Sequence, residues 1–176
     1  IIDCCAGSGG KSLHLAALMQ NKGQIFALDP DLVKLNQLQK RALKNGVSII
    51  QTSTTETTAF YSENQGRADA VLIDAPCSGL GVVRRNPASK WHMNPEKIRQ
   101  LEELQKEILL KNAPLVKKGG TLVYATCSIF PNENQSQIDR FLKSKSGQEF
   151  RLKKDHIFLA HQSNFDGFYI AQLTRT

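Results

Sequence analysis

Residues 70–73 of the segment ADAVLID (68–74) are apolar without a break. A strand with one wet face alternates apolar and polar side chains, so an unbroken run is the pattern of a strand covered on both faces. Such sheets are mainly parallel, and parallel neighbours need long crossovers, usually helices. The rest of the chain supplies that alternation. IID (1–3) reads as a strand end, QIFALD (24–29) and VSIIQT (47–52) as strands two and three, ADAVLID as the fourth and GGTLVYAT (119–126) as the fifth. Helical patterns fall between them. SLHLAALMQNKG (12–23) is closed by Gly23, and PDLVKLNQLQKRALKNG (30–46) sets Leu32, Leu35, Leu38 and Leu43 near one face. A third helix runs from Pro95 to Val116, with Ile98, Leu101, Leu104, Ile108 and Leu109 at helical spacing and Pro114 bending or ending it. A fourth covers 132–145. Segment 53–67 is polar and carries at most a weak helical turn, 75–94 is a long loop, and 150–176 reads as a closing antiparallel pair. The class is α/β with a mainly parallel sheet.

With 176 residues the chain is expected to form one domain. Its first residues already look like the end of a buried strand, so a C-terminal fragment of a longer protein is expected. No apolar run approaches the roughly 20 residues that span a bilayer, and a cytoplasmic, monomeric protein is the expectation. Net charge is +7, which suits a polyanionic partner and equally a solvated basic surface. The cysteines are Cys4, Cys5, Cys77 and Cys127. None forms a C-x-x-C pair, so neither zinc nor a disulfide framework is expected. The four histidines do not cluster by spacing and read as structural or surface residues.

In a parallel sheet, ligands bind outside the carboxyl ends of the strands. Three features share that edge: the turn DCCAGSGGK (3–11), the segment DAPCSG (74–79) and TCS (126–128). The turn has no bulky side chain between Cys5 and Gly10, and Gly7, Gly9 and Gly10 let backbone amides approach a ligand. It is neither a Walker loop nor a full dinucleotide fingerprint, since Leu13 stands where the third glycine belongs. By itself it fits a nucleoside ligand or a merely tight turn. Asp29 ends strand two and is placed to accept both ribose hydroxyls of an adenosine. The alternative is a helix cap, work that Asp31 could share. The combination suits S-adenosylmethionine as well as NAD. Cys127, at a strand end near Lys11, can be activated as a thiolate; the plain alternative is an inert buried cysteine. Asp74 brings a carboxylate to the same rim, and Pro76 stiffens the turn that presents Cys77.

DCCAGSGGK, DAPCSGLG, RRNPASKW, ATCS and DGFYIAQL occur here in the order found in the RNA (cytosine-5) methyltransferases of the Sun/Fmu and nucleolar-protein type. The chain resembles that family along nearly its whole length, bacterial enzymes of small-subunit ribosomal RNA most of all. The resemblance implies a Rossmann-like methyltransferase domain, with a seven-strand-type sheet, an antiparallel closing strand and helices on both faces. It implies S-adenosylmethionine as cofactor, held by Cys5, Ala6, Gly7, Ser8, Gly9, Gly10 and Lys11, with Asp29 on the ribose, Thr55 near the adenine and Asp74 near the reacting end. It implies that Cys127 adds to cytosine carbon 6, that Asp74 hydrogen-bonds N3, that Cys77 assists release, and that Lys11 contributes in the pocket. Arg84, Arg85 and Lys90 would face RNA phosphates, while Trp91 is expected to anchor its loop in the core rather than stack on a base. Departures are Gly7-Ser8 for the usual Ala-Pro, Thr55 for an acidic residue (with Glu56 adjacent), and Ala88 for a commonly acidic one.

Three other readings compete. One is an RNA-binding or assembly protein with impaired or absent catalysis, favoured by Gly7-Ser8 and Thr55. One is a DNA cytosine-5 methyltransferase, in which the Pro-Cys thiol, Cys77, is the nucleophile. The last is a nicotinamide dehydrogenase, which the incomplete fingerprint disfavours.

Overall fold

The computed structural model describes residues 1–55, 58–91, 93–163 and 165–176. Among them, seven strands form one sheet in the order β3-β2-β1-β4-β5-β7-β6. In chain order the elements are β1 (Ile2–Asp3), α1 (Gly10–Leu18), β2 (Ile25–Leu28), α2 (Leu32–Lys44), β3 (Ile50–Ser53), α3 (Thr58–Asn64), β4 (Ala68–Asp74), α4 (Pro95–Asn112), β5 (Val116–Thr126), α5 (Gln135–Lys143), β6 (Phe150–Phe158), α6 (Ala160–Ser163) and β7 (Phe168–Arg175). The pairs β1–β2, β2–β3, β1–β4 and β4–β5 are parallel. β7 runs antiparallel to both β5 and β6, which makes it the closing strand expected from the tail. The order reverses between β1 and β4, so a crevice opens at the carboxyl ends of these two strands.

The unbroken run in β4 does what its composition demands: Val71 and Ile73 are fully buried, joined by Leu122 and Tyr124 of β5 and Tyr169 of β7. A smaller cluster on Ala27 of β2 packs against Leu38 and Ala42 of α2. Leu35 and Leu38 face the core as expected, but Leu32 and Leu43 are exposed; the third inward position is Ala42, which lies at helical spacing from Leu35 and Leu38 where Leu43 does not. Asp31 caps α2, accepting from the amides of Val33 and Lys34. α1 is shorter than its pattern, because Gln20 and Asn21 take left-handed backbone conformations and the chain turns there instead of at Gly23.

α3 forms within the polar segment that gave only a weak helical signal. It is anchored by Phe60, whose ring meets that of Phe26 edge-on at 5.2 Å. α4 stops at Asn112, and Pro114 sits in the one-turn 3-10 helix that follows. β5 begins at Val116, earlier than GGTLVYAT suggests, and absorbs a register shift against Ala68 and Ala70 of β4. The loop 75–94 holds two 3-10 turns, Leu80–Val82 and Pro87–Trp91.

Candidate active site

The turn between β1 and α1 is held from three sides. Gly9 lies at φ 88°, and a Cβ there would sit 2.5 Å from Leu38 Cγ, so only glycine lets the turn pack on α2. The Arg41 guanidinium donates to the Ser8 carbonyl at 2.6 Å. Ser12 donates to the fully buried Asp3 at 2.6 Å, joining the end of β1 to α1. Burial raises the Asp3 carboxyl to about 6, against the opposing Ser12 hydrogen bond. Ala6 and Gly9 are buried, and Gly10 opens α1 on the outside.

Asp29 lies at the end of β2 and is only 7% exposed. One carboxylate oxygen accepts the Gly7 amide and the other the Asp31 amide, both at 2.9 Å. These bonds fix the carboxylate and leave each oxygen a second lone pair. Capping of α2 belongs to Asp31, so Asp29 is free of that duty. It lines a cleft of about 520 Å³ together with Cys5, Gly7, Thr55, Asp74 and Pro76. The far wall, which the sequence did not reveal, comes from Pro30, Tyr61, Leu104 and Ile108. The Lys111 ammonium lies 4.5 Å from the centre of the Tyr61 ring and donates to the Thr55 carbonyl at 2.8 Å. Glu56 lies outside the described residues. The cleft's size, its apolar wall and its one buried, oriented carboxylate fit a nucleoside-bearing ligand such as S-adenosylmethionine. A larger hollow of about 660 Å³ opens at the other ends of the strands, among Ile1, Phe26 and Asp69, away from all these residues.

Asp74 ends β4 and is ion-paired with Lys11. Beyond it the two distant cysteines meet: the Cys77 and Cys127 sulfurs are 3.2 Å apart, a hydrogen-bonding distance across a separation of 50 residues. Either thiol can donate to the other. Donation from Cys77 lowers the Cys127 thiol to about 7, against the penalty of its burial, and the nearby Asp74 charge opposes the shift while Lys11 favours it. Cys77 moves upward for the matching reasons, its bond to Cys127 and its burial. Cys5 behaves differently: burial, with the Asp3, Asp74 and Asp29 charges, pushes its thiol up to about 12.

The loop after Cys77 returns to the same place. Gly81 donates its amide to the Cys127 carbonyl at 2.9 Å and accepts from the Gly167 amide at 2.8 Å. Asp166, the residue before Gly167, is ion-paired with both Arg84 and Arg85. The DGFYIAQL motif thus ties the closing strand to the cysteine loop. Both arginines remain mostly exposed, and the Lys90 ammonium lies 4.9 Å from the centre of the Trp91 ring. Trp91 is 79% exposed, which corrects its expected role as a core anchor: its 3-10 turn contains no buried residue to pack against. His14, His156 and His161 are exposed, and His92 lies outside the described residues. Among the described residues no three His, Cys, Asp or Glu side chains group as metal ligands.

Comparison with known proteins shows the family. The profile of a family described as 16S rRNA methyltransferase RsmB/F matches residues 1–174. A probable ribosomal RNA small subunit methyltransferase B of Bacillus subtilis is 36% identical over 99% of the chain and 43% of its own length. The ribosomal RNA small subunit methyltransferase B of Photorhabdus laumondii is 38% identical over 99% of the chain and 42% of its own length. The chain thus spans less than half the length of these relatives. Among solved structures, NSun6 from Pyrococcus horikoshii with SFG superposes with a TM-score of 0.85 at 26% identity, over 99% of the chain and 47% of that protein. The chain belongs to the RsmB/F family of 16S rRNA methyltransferases.

Proposed function

We propose that this chain methylates carbon 5 of a cytosine in RNA, with small-subunit ribosomal RNA as substrate, through a covalent bond between Cys127 and the base. The observation that carries this reading is the pair of sulfurs 3.2 Å apart at the strand ends, beside a carboxylate and a nucleoside-sized cleft. Carbon 5 of cytosine is a weak nucleophile until a thiolate has added to carbon 6. A cysteine poised to ionise near neutrality is therefore the group the reaction needs.

Cys5, Gly7, Asp29 and Thr55 hold S-adenosylmethionine, with Asp29 taking the ribose hydroxyls; Ala6, Ser8, Gly9 and Gly10 shape the turn. The bound cofactor supplies an electrophilic methyl group on a sulfonium. Cys127 attacks carbon 6 as thiolate; Asp74, which Lys11 holds in the free chain, takes up a proton as the base enters, donates it to N3 as the ring gains electron density, and takes it back when the ring becomes aromatic again. Once carbon 5 carries the new methyl group, its proton leaves to a base at the same rim. The bond from Cys127 sulfur to carbon 6 breaks, the aromatic ring re-forms and Cys127 returns to thiolate. Cys77 assists that release, standing at hydrogen-bonding distance from the leaving sulfur. Arg84, Arg85 and Lys90 contact phosphates and position the strand without reading it, and the target base leaves its stack to reach the sulfurs. No helix among the described residues is long and apolar enough to cross a membrane; a monomer acting in the cytoplasm completes the proposal.

The test is transfer of a radiolabelled methyl group from S-adenosylmethionine to undermodified small-subunit ribosomal RNA, followed by digestion to nucleosides. Label in 5-methylcytidine is expected. Label in another nucleoside, or RNA binding with no transfer, would overturn the reading, the latter in favour of a non-catalytic RNA-binding role.

A further inference from the structure

Both cysteines are followed by serine, and the two serines converge on a carboxylate that the reaction itself does not use. Glu133, in the 3-10 turn Pro131–Glu133, is fully buried. One of its oxygens accepts the Ser78 amide at 2.8 Å and the Gln105 amide group at 3.0 Å. The other accepts the Ser78 hydroxyl at 2.6 Å and the Ser128 hydroxyl. The serine hydroxyls are themselves 3.3 Å apart. Gln105 of α4 also donates to the Pro76 carbonyl at 3.0 Å, gripping the residue before Cys77 as Glu133 grips the residue after it. The Tyr124 hydroxyl holds the Glu133 carbonyl at 2.7 Å.

An ionised carboxylate is acceptor-only, with about four lone-pair positions. Here four donors meet them. Burying a carboxylate is costly unless its acceptors are satisfied. The same acidic group on a surface turn would be cheaper, so a purely solubilising role does not account for its position. We propose that Glu133 is a positioning residue: it draws the serine after each cysteine to one point and so fixes the Cys77 and Cys127 sulfurs at hydrogen-bonding distance. Its importance for methyl transfer rests on the function proposed above, but the positioning itself does not.

The test uses the free chain, without RNA or cofactor. The rate of iodoacetamide alkylation at Cys127 is followed against pH, with mass spectrometry assigning the site, for the wild type, Glu133→Gln and Ser128→Ala. Glutamine keeps the shape but presents an NH2 group to donors. The wild-type profile is expected to have its midpoint near 7. Glu133→Gln moves it up by roughly one pH unit or more, towards the ordinary thiol value of about 8.5, and Ser128→Ala moves it the same way by less. A merely structural Glu133 would lower the melting temperature and leave the midpoint of the folded protein unchanged, which overturns the proposal. If Glu133→Gln does not fold, Ser128→Ala decides by the same criterion. A wild-type midpoint near 8.5 also overturns it. A midpoint near 7 in a wild type that transfers no methyl group would instead count against the proposed function alone.

Discussion

Replacing Gly81 with alanine should do more damage than any other single added methyl group in the cysteine loop. A Cβ at this position would lie 2.2 Å from the Gly167 carbonyl oxygen and 2.7 Å from the Cys127 carbonyl oxygen. Both are backbone atoms, so no side chain can swing away to make room. Relief requires the loop to move off the strand ends, which stretches the bonds from the Gly81 amide to Cys127 and from the Gly167 amide to Gly81. Each bond is worth about 1 kcal/mol, and overpacking costs about 1–3 kcal/mol more. The expected loss is therefore about 3–5 kcal/mol, a large part of an ordinary domain's stability of about 5–15 kcal/mol. Urea unfolding gives the value directly. Gly10→Ala is the control, since a Cβ there meets nothing within 4 Å, and it should be neutral or slightly stabilising. A Gly81→Ala protein within about 1 kcal/mol of wild type would refute the clasp between the cysteine loop and the closing strand.

Three further outcomes are expected. Asp29→Ala removes the acceptor that Gly7 and Asp31 share; calorimetric titration should show S-adenosylmethionine binding weakened at least tenfold, about 1.4 kcal/mol, while NAD shows no binding to either protein. Asp3 has a folded pKa raised to about 6 by burial, so the folded state binds the proton more tightly than the unfolded one. Stability is then greatest below the unfolded value of about 3.9 and falls by up to ~3 kcal/mol as pH rises through the folded value; in Asp3→Asn, urea midpoints should lose that decline between about pH 4 and 6. Lys90→Ala should weaken RNA binding alike for all sequences and reduce the salt-dependence slope by about 1, whereas an unchanged slope would take Lys90 off the phosphates.

The elements legible in the sequence were those whose periodicity comes from burial. β4 announced itself by an unbroken apolar run, and the placing of DAPCSG and TCS at strand ends was enough to foresee that the two cysteines share a rim. The face of α4 was legible only in part: its leucine and isoleucine spacing is real, yet the fully buried stripe includes Gln105 and Asn112, which hydropathy assigns to solvent. Glu133 was invisible for the same reason, because an acidic residue in PNEN reads as a solvated helix start until its donors from two loops and α4 are in place. Trp91 misled in the opposite direction, an aromatic residue whose size suggests the core but whose turn stands clear of it. The hydrogen bond between Cys77 and Cys127 depends on a distance, and no spacing rule in one dimension contains it.

The most direct measurement of the covalent mechanism compares Cys77→Ala with Cys127→Ala on a denaturing gel, after incubation with S-adenosylmethionine and labelled small-subunit ribosomal RNA. Cys77→Ala should accumulate a protein–RNA adduct that survives denaturation, since it can form the bond to carbon 6 but is slow to release it, and Cys127→Ala should form no adduct and transfer no methyl group. An adduct in Cys127→Ala, with none in Cys77→Ala, would contradict this account and make Cys77 the nucleophile.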